Sequence, residues 1–153
     1  MTKKAQTLKE GQITLLQYIV DCLIPGTKEM LPASEIGTAE YLDSIAGTSV
    51  MFRRQLLEGL KDIEIAAGKT GQEFASLSED GRIEVLKSVE VSNPGFFNQL
   101  VRYTYTVYYT TPEVLKRLGM SGRPPQPLGY HMERGNLDLI EKVKARGPVY
   151  KEV

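Results

Sequence analysis

Histidines, cysteines and paired carboxylates supply most chemistry near neutral pH, and this chain is sparing with the first two. His131 is the single histidine and Cys22 the single cysteine. With acids nearby, Glu133 among them, His131 could serve as a general base. A catalytic or metal site normally assembles several such ligands, however, and one imidazole in a Pro/Gly-rich stretch reads first as a surface or packing residue. One cysteine makes no intrachain disulfide, no CxxC redox pair, no CxxCH haem attachment and no cysteine zinc cluster. Glu58, Asp62, Glu64 and Glu84 are spread over solvated helix positions. The "GKTGQEF" stretch offers the Gly-Lys-Thr of a phosphate loop, but the glycine required five residues earlier is Ile63 and the preceding segment is helical. No Gly-x-Ser-x-Gly elbow or GxGxxG loop is present. The expectation is that the chain contributes no catalytic, cofactor-binding or metal-binding residue of its own.

The residues that do ask for a purpose are tyrosines. "RYTYTVYYTT", residues 102–111, alternates Tyr, Thr and Val as a half-buried strand would. A lone strand has no ladder partner for its N–H and C=O groups, and no other alternating run in the chain offers one. The stretch is therefore predicted to be helical over residues 94–110, against its local propensity. Asn93 is then the cap and Pro94 takes the first helical position, where its missing N–H costs nothing. On that helix Phe97, Leu100, Val101, Thr104 and Tyr108 share one side, extended by Phe96, Tyr103 and Val107. Asn98, Arg102, Tyr105, Thr106 and Tyr109 take the other. Tyr103 and Tyr108 fit a core with hydroxyls at its edge. Tyr105 and Tyr109, one turn apart and within reach of Arg102, have the composition of a protein-binding hot spot. Packing within the chain is the other reading of that pair.

The elements around this helix read as a bundle. Ile13, Leu16, Ile19, Val20 and Leu23 recur at helical spacing within residues 7–23, ending at Pro25. Ser34 is predicted to cap a second helix with Ile36, Ala39, Leu42 and Ile45 inward. A third runs from Ser49 with Phe52, Leu56, Leu60 and Ile63 inward and stops at Gly68. Ser78, Glu79 and Asp80 open a fourth that carries Ile83, Val85, Leu86 and Val89. Thr111 and Pro112 start a short sixth element closed by Gly119. The fold class is all-α, an irregular bundle of five to six helices over residues 1–118. An extended tail follows over 119–153, where "RPPQPLG" cannot be regular and "LDLIEKVKARG" allows one or two helical turns.

With 153 residues the chain is about one domain long. Lys+Arg and Asp+Glu are both 19, so no net field draws in nucleic acid or an anionic membrane. No stretch approaches the roughly 20 apolar residues of a membrane span, and "MTKKAQ" is not followed by an export signal.

"FFNQLVRYTYTVYYTTPEVLKRLGMSGRPPQPLGY", with "LLQYIVDCLIPG" and "PASEIGTAEYLD" before it and "LDLIEKVKARGPVYK" after, resembles the gluconate 2-dehydrogenase subunit 3 family over nearly the whole chain. The most specific pieces are the Phe96-Phe97 helix ending in a Thr-Thr-Pro turn at Pro112, and the "RPPQPLGY" segment. The resemblance implies a non-catalytic small subunit that binds, stabilises and helps export a large FAD-dependent sugar or alcohol dehydrogenase of the glucose-methanol-choline type. FAD belongs to that partner, and a cytochrome c subunit is a further expected partner. The surface expected to meet the partner comprises Arg102, Tyr105 and Tyr109 of the helix, and Arg123, Pro124, Pro125, Pro127 and Tyr130 of the tail. A periplasmic location is implied by the resemblance, whereas the missing export signal leaves the cytoplasm open. The alternatives are a free-standing helical binding module and a self-contained enzyme using His131.

Overall fold

The computed structural model describes residues 7–121, 135–136 and 138–147. These form seven α-helices and no strand: α1 Glu10–Leu23, α2 Thr38–Thr48, α3 Val50–Gly68, α4 Glu79–Ser92, α5 Pro94–Thr110, α6 Pro112–Arg117 and α7 Asp138–Ala145, with a single 3-10 turn at Phe74–Ser76. The all-α expectation holds.

Each helix buries the stripe its spacing prescribes. Leu16, Ile19 and Val20 of α1, Ala39 and Leu42 of α2, Leu56 and Ile63 of α3, Val89 of α4 and Leu100 of α5 are all removed from solvent. They meet in one core, in which α3 lies between α2 and α4 while α5 packs across α2, α3 and α4. α3 and α5 come close where Gly59 meets Phe96. Gly59 is buried there, and a Cβ at that position would run into the Phe96 ring. Only glycine lets the ring lie on the α3 backbone.

Side-chain caps set three of the helix starts. The Ser49 hydroxyl accepts the Phe52 N–H at 3.2 Å, the Ser78 hydroxyl accepts that of Gly81 at 3.2 Å, and the Asn93 side-chain carbonyl accepts that of Phe96 at 3.2 Å. Two starts differ from the expectation. The second helix begins at Thr38 and not after Ser34, because Ser34 is engaged elsewhere. Its N–H and hydroxyl donate to the Asp21 carboxylate on α1 at 2.8 and 2.7 Å, and Gly37, at φ 76°, turns the chain into α2. The first helix begins at Glu10 and not at residue 7, because the Thr7 and Leu8 N–H groups donate to the buried Asp43 carboxylate on α2 at 3.0 and 2.7 Å. A carboxylate buried in this way is stable because backbone donors replace its water.

"GKTGQEF" follows the end of α3 as a turn that buries Phe74, consistent with a polar interhelical connection. Thr106, Thr110 and Thr111 keep their hydroxyls satisfied although α5 is helical and not a strand. Their hydroxyls donate back to the carbonyls of Arg102, Thr106 and Val107 at 2.7, 2.7 and 2.8 Å, a habit of threonine on helices.

Candidate partner interface

The outer face of α5 carries the residues singled out by the sequence. Asn98, Arg102, Tyr105 and Tyr109 follow one another at three and four residues along a single exposed stripe. Tyr105 and Tyr109 are 42% and 46% exposed, large for aromatic side chains with a core available beneath them. Their rings stack at 5.9 Å between centroids and 19° between planes. Tyr109 also meets the ring of Tyr108 edge-on, at 5.2 Å and 78°. Tyr108 is buried, and its hydroxyl donates to the Leu31 carbonyl at 2.6 Å, tying α5 to the loop between α1 and α2. The exposed pair thus stands on an anchored ring. Two rings so held lose less rotamer freedom on meeting a partner than free side chains would.

Arg102 is exposed and, among the described residues, forms no ion pair. Tyr103 lies on the inner side as expected, edge-on to Phe52 of α3 at 4.8 Å. Burial raises the Tyr108 phenol above its ordinary pKa, with Tyr109 adding to the effect and Arg117 opposing it. Burial likewise pushes the Cys22 thiol up, with Asp21 and Glu79 assisting against Arg82. That is the reverse of what an activated nucleophile needs. Among the described residues no three His, Cys, Asp or Glu side chains converge as a metal site would require, and no helix is long and apolar enough to cross a membrane.

The tail contributes one described element. All described side chains of α7 are exposed, Ile140 at 46% and Val143 at 64%. A helix of eight residues is marginal in water without a surface to lie on. Arg123, Pro124, Pro125, Pro127 and Tyr130, expected at the interface, lie outside the described residues, as do His131 and Leu137.

Some of the surface was not foreseen. α6 packs on α5 and runs into the exposed Leu118 and Met120, while Val50 and Met51 stand 72% and 75% exposed at the start of α3. Nothing in the periodicity marked these, since each flanks a buried stripe within a residue or two. The Tyr108–Leu31 hydrogen bond, spanning 77 positions, left no local signal either.

No curated protein and no solved structure gives a significant match to the chain. The model of one family, gluconate 2-dehydrogenase subunit 3, matches residues 10–123. That span starts at the first residue of α1 and runs past the end of α6, so it takes in the whole packed bundle and leaves α7 beyond it. With the bundle matched from end to end, the chain belongs to the gluconate 2-dehydrogenase subunit 3 family.

Proposed function

We propose that this protein is a non-catalytic accessory subunit that binds and stabilises a large FAD-dependent sugar or alcohol dehydrogenase, and that it supports export of the assembled complex. The observation that carries the reading is the stacked Tyr105–Tyr109 pair on the solvent face of α5, anchored through Tyr108 and flanked by Arg102. Tyr and Arg are enriched where proteins bind tightly because each buries a large area and retains a polar group for the rim. A pair that, among the described residues, touches only its own stack and the Tyr108 ring, and is already ordered, is suited to burial by another chain. The exposed Ile140 and Val143 of α7 supply a second apolar contact. FAD and the hydroxyl-oxidising residues belong to that subunit, and a cytochrome c subunit receiving the electrons completes the assembly.

Co-expression with the flavoprotein encoded beside it tests this directly. The expected outcome is a yellow complex in which both chains co-elute and the flavoprotein alone is less stable. A monomeric small chain with no affinity for that flavoprotein overturns the proposal.

A further inference from the structure

Asn98, Arg102, Tyr105 and Tyr109 on the outer face of α5 are all exposed and follow one another at four, three and four positions, the alternation of seam residues in a pair of packed helices. A helix face made only for water carries several charges. This stripe carries one, Arg102, and α5 has no acidic residue from Pro94 to Thr110. Tyr105 and Tyr109 are already stacked, and among the described residues none of the four side chains makes a hydrogen bond or an ion pair.

Laid antiparallel on a second copy of itself, a stripe of this spacing sets Arg102 across from Tyr105 and Asn98 across from Tyr109, and the two-fold axis between residues 102 and 105 repeats each pair. Both pairs are complementary. A guanidinium over a tyrosine ring is a cation–π contact, and the chain makes one within itself where Arg82 lies 4.6 Å over the Tyr18 ring. The Asn98 amide offers a donor and an acceptor to the Tyr109 hydroxyl. Parallel pairing fails on charge, because it sets Arg102 against Arg102 with no acid on the face to relieve the repulsion. The formal net charge of zero lets two copies approach without mutual repulsion.

We infer that the outer face of α5 is self-complementary and pairs two copies of this chain as an antiparallel, two-fold dimer when no other protein covers it. One helix face is a small interface, so the dimer is weak and forms as concentration rises. It occupies the surface proposed above for the large subunit without resting on that reading. A chain that stays monomeric leaves the flavoprotein contact standing, and a dimer that ignores the flavoprotein leaves this one standing.

Sedimentation velocity of the full chain, from low micromolar to millimolar concentration, reads the association, and a reversible monomer–dimer equilibrium is expected. Tyr105→Ala and Arg102→Gln should each weaken it about fivefold, with helical circular dichroism unchanged. Met51→Ser, at the exposed start of α3, should leave it as it is. Disulfide trapping reads the register. In a Cys22→Ser background, Asn98→Cys combined with Tyr109→Cys should give a covalent dimer on oxidation. Asn98→Cys alone should not, because antiparallel pairing holds its two thiols apart by roughly 16 Å of helix. A chain that is monomeric at every concentration, an association that Tyr105→Ala and Arg102→Gln leave unchanged or that Met51→Ser abolishes, or efficient trapping through Asn98→Cys alone overturns the inference.

Discussion

Tyr108 and Tyr109 are neighbours on α5, yet the first is 1% exposed and the second 46%. The inner face, Phe96, Leu100, Thr104 and Tyr108, packs on α2, α3 and α4; the Tyr108 hydroxyl finds the Leu31 carbonyl, while the buried Thr104 hydroxyl has no partner among the described residues. The outer face, Arg102, Tyr105 and Tyr109, has the same aromatic investment and, among the described residues, no intrachain counterpart beyond its own stacking and the edge of Tyr109 on Tyr108. A 100° step per residue separates neighbours onto different surfaces, so one helix can hold a bundle together with one side and offer a binding surface with the other. In a family whose members are subunits, the inner face serves the fold and the outer face is the one proposed to serve assembly.

That division breaks down if the two faces respond alike to substitution. The largest effect is expected from Tyr108→Ala, which empties a fully buried aromatic site. It should destabilise the chain by about 3 to 5 kcal/mol, read from the denaturant midpoint at constant slope. Next is Gly59→Ala, which drives a Cβ into the Phe96 ring. Overpacking of about 1 to 3 kcal/mol should outweigh the gain of about 1 kcal/mol in helix propensity, and a more stable variant would show that the α3–α5 crossing has slack.

On the outer face, Tyr105→Ala and Tyr109→Ala should each weaken complex formation by about 1 to 2 kcal/mol. Their effect on the isolated chain's stability should stay within about 0.5 kcal/mol, the range for surface positions. If stability falls and affinity does not, the pair is packing and the comparison collapses.

The smallest effect sharpens the role of the buried hydroxyl. Tyr108→Phe leaves the Leu31 carbonyl without its donor and should cost about 1 kcal/mol at neutral pH. Because the Tyr108 phenol is raised in the folded chain, its contribution is fully present below the unfolded pKa near 10 and is lost as pH rises through the folded value. The wild-type chain should therefore lose more stability than the Phe variant between pH 9 and pH 11, and parallel urea midpoints over that range would count against the assignment.

Much of this was readable from residue order alone. Apolar residues at three and four placed Leu16, Leu42, Leu56, Val89 and Leu100 inward, and all five are buried. Asn93-Pro94 and Ser49 marked helix starts, because the groups that cap a helix lie within three residues of it. The absence of a pairing partner for residues 102–111 turned a strand-like composition into a helix, a case in which topology outweighs propensity. What went unread is of one kind. Ser34 suits a cap by its side chain, but Asp21, 13 residues away, holds it. Thr7 and Leu8 were placed in α1, but Asp43 on α2 takes their N–H groups.

The order of residues alone therefore determined which positions turn inward and where most helices begin, since periodicity and capping act over a few residues and need no knowledge of neighbours. The tertiary structure decided which polar groups find partners across the chain. It set the hold of Leu31 on Tyr108, of Asp21 on Ser34 and of Asp43 on the Thr7 and Leu8 N–H groups. Those depend on distances between residues far apart in sequence, and such distances exist only once the helices have packed.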